Sequence, residues 1–143
     1  MTSGSPNILI IGAGPVGLTA ALELARRGIA CRIIDNNAPS PIHESRALAV
    51  NQRTMQLLGP CGVAKLIDAE AVKLRQMQVF SGAKQIMKID LGMEAGKQAF
   101  LRSLPQGRTE RLLAAWLAEY GIALECGSVF TGFLEGSAGK LVS

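Results

Sequence analysis

The sequence predicts an α/β fold that begins with a strand, a glycine-rich turn, a helix and a second strand. Three observations support this prediction. Apolar residues dominate 7–11 and 29–35, as in strands buried on both faces of a parallel sheet. Glycines mark the turn at 12–17, and the segment 16–27 has an apolar stripe of helical spacing that ends at Gly28. A right-handed crossover is expected between the two parallel strands.

The elements after this unit are less regular. A loop containing two prolines covers 36–46. Short helices are predicted over 51–58 and 63–70, and Gly59-Pro60 stops the first of them.

Alternating apolar and polar residues then indicate a change to strands. The segments 77–81 and 84–91 lie on either side of Gly82 and Ala83. This pattern predicts a β-hairpin that exposes one face to water.

The last part of the chain returns to mixed structure. The stretch 92–105 is a polar connection interrupted by the run AFLRSL. A helix with one apolar face is predicted over 109–120, and the strand 122–125 behind it is placed to rejoin the parallel sheet. Further strands are predicted over 128–135 and 140–143, around a GSAG turn.

Composition and charge exclude several classes of protein. The chain has 143 residues, of which 48% are hydrophobic and 18% charged, so it is globular rather than disordered or fibrous. A net charge of +4, without a basic run and with 4% aromatic residues, argues against nucleic-acid binding. The N-terminus lacks the features of a signal peptide, and glycines break the apolar run that follows it. We therefore expect a cytoplasmic protein with no membrane partner.

The cysteines predict neither a metal site nor a disulfide framework. Cys31, Cys61 and Cys126 lie far apart in the chain, and no pair has metal-ligand spacing. We expect Cys31 and Cys126 in the core, Cys61 in a turn, and a reducing compartment.

The glycine turn carries the main candidate site. Gly12, Gly14 and Gly17 fit the pattern G-x-G-x-x-G. In this pattern the first glycine permits the tight exit from the strand, the second leaves the backbone open to a pyrophosphate, and the third allows close helix packing. Pro15 and Val16 lie at the start of the helix, where unpaired N–H groups and the helix dipole attract an anion.

Two later residues bear on which nucleotide is bound. Asp35 ends the second strand, where a carboxylate accepts hydrogen bonds from a ribose diol and repels a 2′-phosphate. This Rossmann-like unit therefore predicts a dinucleotide and disfavours NADP, while NAD and FAD both stay open. Arg46 is a candidate contact to a phosphate or a flavin edge, the alternative being a surface ion pair with Glu44.

Three separated blocks of the sequence are familiar. They are ILIIGAGPVGLTAALELARRGIACRIID, SRALAVNQRTMQLLGPCGV and LPQGRTERLLAAWLAEYGIALECGSVFTGF. Together they resemble the N-terminal part of the FAD-dependent aromatic hydroxylases, flavoprotein monooxygenases typified by p-hydroxybenzoate hydroxylase. The resemblance runs from residue 7 to about residue 133.

This resemblance implies a fold. Members have a Rossmann-like FAD-binding domain into which a β-rich substrate domain is inserted. We therefore expect 1–143 to be an incomplete FAD-binding domain. Its βαβ unit would be 7–35, its helix and returning strand 109–125, and the hairpin 76–91 would begin the substrate domain.

The resemblance also implies roles for individual residues. The three motif glycines, with Pro15 and Val16, would hold the FAD pyrophosphate, and Asp35 would bind the adenosine ribose. Arg46 and Gln106 match a family arginine and a family glutamine that contact the FAD. No residue of this chain is assigned to catalysis.

The implied activity uses FAD, with NAD(P)H as the reductant and O₂ as the oxidant, to hydroxylate a small aromatic substrate. Family members are several times longer than this chain, so we expect a truncated form that is inactive alone. We expect it to associate through exposed sheet edges, for instance as a homodimer. Two alternatives stay open: a small NAD(H)-binding Rossmann reductase or sensor, and a non-enzymatic domain that assembles with another chain.

Overall fold

A computed structural model of the chain describes residues 8–37, 49–91, 93–94, 97–98, 101–136 and 139–142. The helices in this part are α1 (Pro15–Ala25), α2 (Gln52–Leu58), α3 (Val63–Glu70) and α4 (Gln106–Ala118). The strands are β1 (Leu9–Ile11), β2 (Arg32–Asp35), β3 (Ala49–Val50), β4 (Val72–Leu74), β5 (Gln76–Ser81), β6 (Lys84–Asp90), β7 (Met93–Glu94), β8 (Lys97–Gln98), β9 (Leu101–Ser103), β10 (Leu124–Cys126), β11 (Phe133–Gly136) and β12 (Gly139–Val142). The mixed α/β class expected from the sequence is confirmed.

A parallel sheet of three strands carries the glycine turn. Its strand order is β1–β2–β10, and Ile33 of β2 pairs with Ile10 on one side and Leu124 on the other. Ile33 is fully buried because neighbouring strands flank it and helices cover it. Across the sheet from β10 to β1, the neighbouring strands are the third, the second and the first in the chain. This is the strand order of one half of a doubly wound sheet.

Helix α1 connects β1 to β2 and covers the sheet. It begins at Pro15, whose fixed φ suits the first helical position. It ends at Ala25, two residues before the predicted end, because the Arg27 N–H bonds the Leu24 carbonyl in a tighter turn. Its buried residues are Leu18, Ala21 and Leu22.

Strand β2 is shorter than the sequence predicts. It begins at Arg32 rather than at residue 29. The Ile29 N–H bonds the Leu24 carbonyl at 3.0 Å, so the chain is still leaving α1 at that point.

Helix α4 packs against α1 and begins three residues before the predicted start. Pro105 precedes it, and the Pro105 carbonyl accepts the N–H groups of Arg108 and Thr109. Leu113 and Leu117 of α4 are almost fully buried. The earlier start places Gln106 on the first turn of the helix.

One hydrophobic core joins these helices to the sheet. Its buried members come from all four helices, from β2 and from the connections: Leu18, Ala21, Leu22, Cys31, Ile33, Met55, Leu58, Cys61, Val63, Ile67, Leu104, Leu113 and Leu117.

One of the three cysteines differs from expectation. Cys61 lies in a turn as predicted, where it is buried and its Sγ donates to the Leu58 carbonyl at 3.1 Å. Cys126 is exposed rather than in the core, because it ends an edge strand of the parallel sheet. Cys31 is buried as expected, and burial raises the pKa of its thiol.

A second sheet contains a strand that the sequence analysis missed. β9 lies within the predicted polar connection, yet it is the central strand of an antiparallel sheet ordered β3–β9–β4. Its middle residue, Arg102, is only 9% exposed.

The segment 76–90 forms a β-hairpin of β5 and β6 that turns at Gly82 and Ala83. The alternation predicted one buried face, but most side chains on both faces are exposed in this chain. Exposed apolar side chains include Met77, Phe80 and Met87.

The remaining strands form two further hairpins. β7 pairs with β8, and β11 pairs with β12. β11 begins at Phe133, whereas the predicted strand began five residues earlier. Within the described residues no helix is both long and apolar enough to cross a membrane.

Candidate functional site

The glycine turn folds tightly against the parallel sheet. Gly12 has a φ of +99°, and its N–H bonds the Ile34 carbonyl at 2.8 Å. A Cβ placed on Gly17 would lie 1.9 Å from the Gly12 carbonyl oxygen. The first and third glycines of the motif are therefore needed for the turn itself.

Gly14 is different, because the space around it is open. A Cβ placed there would have nothing within 4 Å, and its φ of −70° suits any residue. Among the described residues no contact requires glycine at this position. An open approach to the backbone is what a pyrophosphate needs.

The start of α1 adds hydrogen-bond donors beside Gly14. Gly14 is the N-cap and supplies no side-chain cap, and Pro15 has no N–H. The next N–H groups, of Val16 and Gly17, precede the first intrahelical donor, which is Leu18. Val16 is 84% exposed, so this end of the helix faces open space.

Asp35 lies at the end of β2 and touches the turn. Its Oδ2 accepts the Ala13 N–H at 2.6 Å, and its Oδ1 accepts the Asn37 N–H at 2.7 Å. Each carboxylate oxygen can accept a second hydrogen bond, so both remain able to bind a ribose hydroxyl. The contact with Ala13 was not predicted, and it makes Asp35 a support of the turn as well as a candidate ligand.

Gln106 is held in place from its own helix. Its Nε2 donates to Glu110 Oε1 at 2.8 Å, and Glu110 is buried. This contact is one turn along α4 and fixes the direction of the Gln106 side chain.

A half-open recess brings the starts of three helices together. Its volume is about 180 Å³, and its lining includes Pro15, Thr19, Val50, Thr54, Gln106 and Thr109. The glycine turn and Gln106, which are about 90 residues apart in sequence, therefore border one space. Arg46 lies outside the described residues.

A second cleft of about 470 Å³ lies between α2 and α3 and includes Arg102. Arg102 donates to Asp68 Oδ1 at 2.8 Å and to Gln52 Oε1 at 2.6 Å. The hydrogen bond from Arg102 and, after it, the hydrogen bond from Lys73 lower the pKa of the Asp68 carboxyl. The cleft has no residue of the glycine turn, and its buried charge is already paired.

The described residues contain no cluster of three or more side chains suited to hold a metal ion. The start of α1 with Gly14 offers donors to an anion, and Asp35 offers acceptors to hydroxyl groups, so the two together suit a ligand with a pyrophosphate and a ribose.

The chain is similar to known proteins in sequence and in fold. The sequence model of a family described as "FAD binding domain" matches residues 6–140. The 6-methylpretetramide 4-monooxygenase of Streptomyces rimosus is 39% identical over 124 residues, which are 85% of this chain and 22% of that protein. The pentachlorophenol 4-monooxygenase of Sphingobium chlorophenolicum is 31% identical over 112 residues, 78% of this chain and 21% of that protein.

A solved structure shares the fold. The flavin-dependent monooxygenase PieE, in complex with FAD and substrate, matches with a TM-score of 0.79 at 26% identity, covering 96% of this chain and 27% of that one. The chain thus spans between 21% and 27% of the length of these three proteins.

Proposed function

Since the chain belongs to the family of FAD binding domains, we propose that it is the FAD-binding portion of a flavoprotein monooxygenase. The whole enzyme would hydroxylate an aromatic substrate with NAD(P)H as reductant and O₂ as oxidant. The chain alone would bind the cofactor without completing the reaction. The names of the relatives support this proposal, since both are monooxygenases and one acts on a chlorinated phenol.

One observation carries the binding proposal. The space that a side chain would occupy is empty at Gly14, whereas at Gly17 backbone atoms fill it. A glycine with room for a side chain, at the N-cap of a helix that has no side-chain cap, is explained by a ligand that occupies the room. An anionic pyrophosphate suits this place because the N–H groups and the dipole of α1 converge there.

Different residues would contact different parts of FAD. The backbone from Gly12 to Gly17, including Pro15 and Val16, would hold the pyrophosphate. Asp35 would accept hydrogen bonds from the adenosine ribose. Gln106 and Arg46 would contact the cofactor further along, Gln106 from the recess beside Pro15.

The bound flavin would supply the redox chemistry, taking electrons from NAD(P)H and activating O₂. The residues of this chain bind and orient the cofactor. We also propose that the chain associates through its open sheet edges, since β1 pairs on one side only within the described residues.

The experiment that tests the proposal is a visible absorption spectrum after adding FAD and desalting. Retained flavin bands near ~370 and ~450 nm are expected for the unchanged chain. Gly14→Val should lose those bands, because the new side chain fills the space of the pyrophosphate, while its unfolding midpoint in urea changes little.

Ala115→Val is the matched control, since it adds a valine at an exposed position of α4, away from the turn. It should retain FAD. Equal FAD retention by Gly14→Val and by the control would contradict the proposed pyrophosphate site. Binding of NADH without any retention of FAD would favour the nicotinamide-dependent alternative.

A further inference from the structure

Thr109 carries a buried hydroxyl whose bonding the fold does not explain. It lies on the first turn of α4, three residues after Gln106, and is only 8% exposed. Among the described residues its Oγ1 has no hydrogen-bond partner. A buried hydroxyl that makes no hydrogen bond destabilises a fold, so an additional partner is to be expected.

The Thr109 hydroxyl makes no hydrogen bond to the usual acceptor within its own helix. A threonine in a helix commonly donates to the carbonyl four residues earlier. Thr19 does so, with its Oγ1 donating to the Pro15 carbonyl at 2.6 Å. Thr109 does not make the equivalent bond to Pro105, whose carbonyl accepts only backbone N–H groups.

Thr109 contributes to the lining of the recess beside Pro15. Thr109, Gln106 and Pro15 all line it, whereas Asp35 does not. Its volume of about 180 Å³ is too small for a dinucleotide and suits one part of it.

The order of groups in FAD identifies which part would enter. The adenosine ribose is assigned to Asp35 and the pyrophosphate to the start of α1. The group that follows the pyrophosphate on the flavin side is the ribityl chain, which carries several hydroxyls. These hydroxyls can donate to, and accept from, a threonine hydroxyl.

Resting on the proposed function, we propose that Thr109 is a cofactor-positioning residue whose Oγ1 hydrogen-bonds a ribityl hydroxyl of FAD. Gln106, held by Glu110, borders the same recess one turn before it on α4. Two residues of the first turn of α4, Gln106 and the more deeply buried Thr109, would therefore both contact the cofactor.

The test compares Thr109→Val with Thr109→Ser in calorimetric titrations of the full chain with FAD and with ADP. Valine keeps the shape of threonine and removes the hydroxyl, whereas serine keeps the hydroxyl. Thr109→Val should weaken FAD binding about tenfold, as expected for one lost hydrogen bond. It should leave ADP binding within about twofold, since ADP lacks the ribityl chain, and Thr109→Ser should bind FAD like the unchanged chain.

Urea unfolding separates this role from a structural one. Removing an unpartnered hydroxyl should leave the unfolding midpoint of the ligand-free Thr109→Val chain unchanged or raise it. A lower midpoint together with equal weakening of FAD and ADP would assign Thr109 to the core and overturn the inference. If the valine variant does not fold, Thr109→Ala against Thr109→Ser makes the same comparison.

The two proposals fail in different ways. FAD binding by Thr109→Val equal to that of the unchanged chain overturns the role of Thr109 and leaves the proposed function intact. Failure of the unchanged chain to bind either FAD or ADP overturns both.

Discussion

Glycine serves two purposes within the six residues of the turn. At Gly17 it is needed by the protein, because the Gly12 carbonyl oxygen occupies the place of a side chain. At Gly14 the protein has room for a side chain, and we propose that a ligand occupies this room. Stability and binding are therefore separable by substitutions three residues apart.

Gly17→Ala should destabilise the fold by about 3 kcal/mol, since the new methyl group meets backbone rather than a side chain that could move. Gly14→Ala is the matched control and should cost about 1 kcal/mol or less, as an alanine at an N-cap. Urea denaturation of the ligand-free chain measures both. Equal midpoints for the two variants would contradict the close packing at Gly17.

Elements with strong local signals were predicted well, and short elements were not. α2 and α3 lie within one residue of their predicted bounds, since Gly59 and Pro60 end the first and apolar spacing defines the second. β9 has three residues and an arginine at its centre, so neither its length nor its polarity indicates a strand. It forms because β3 and β4 pair with it, because Asp68 neutralises the charge of Arg102, and because Gln52 accepts a hydrogen bond from Arg102.

The end of α1 is stabilised by charge. Glu23 forms ion pairs with Arg26 and with Arg27, which follow it by three and four residues. The hydrogen bond from Arg26 is the main cause that lowers the pKa of Glu23 to about 2. The carboxyl is thus more acidic in the folded chain than its ordinary pKa of 4.5 in the unfolded chain.

Glu23→Gln should therefore reduce stability at neutral pH by about 1 kcal/mol or less, because the pair is partly exposed. The stabilisation is complete above pH 4.5 and is lost as the pH falls towards about 2, so the difference from the unchanged chain should close over that range. Urea unfolding at several pH values measures it. Glu119→Gln removes a charge that forms no ion pair among the described residues, and its effect should not follow this pH course.

At the scale of the molecule, the parallel sheet has open edges. β2 has neighbours on both edges, whereas within the described chain β1 pairs only with β2, and Ile11 is 56% exposed. An open edge bearing apolar side chains is a template for pairing with another strand.

We expect the chain to self-associate as its concentration rises, and Ile11→Lys to reduce that association, because a charge on an edge strand opposes pairing. Sedimentation velocity over a range of concentrations measures this. Leu57→Lys, at an exposed apolar position on α2, is the control and should associate like the unchanged chain. A monomer at every concentration would contradict the expectation.

The candidate site was predictable where it is local and not where it depends on packing. The motif glycines and Asp35 belong to one βαβ unit, so their spacing in the sequence already indicates their arrangement. The recess requires α1, α2 and α4 to meet, and nothing near Thr109 in the sequence predicts that this residue lines a cavity. Gln106 was found only through family resemblance.

The contact between Asp35 and Ala13 has a consequence for altering nucleotide preference. Replacing this carboxylate with a small neutral side chain is an obvious way to admit a 2′-phosphate. In this chain the same change would take away the acceptor of the Ala13 N–H and loosen the loop that we propose as the pyrophosphate site. A redesign therefore has to supply a new acceptor for the Ala13 N–H. Without it, any change in nucleotide selectivity will come with weaker nucleotide binding.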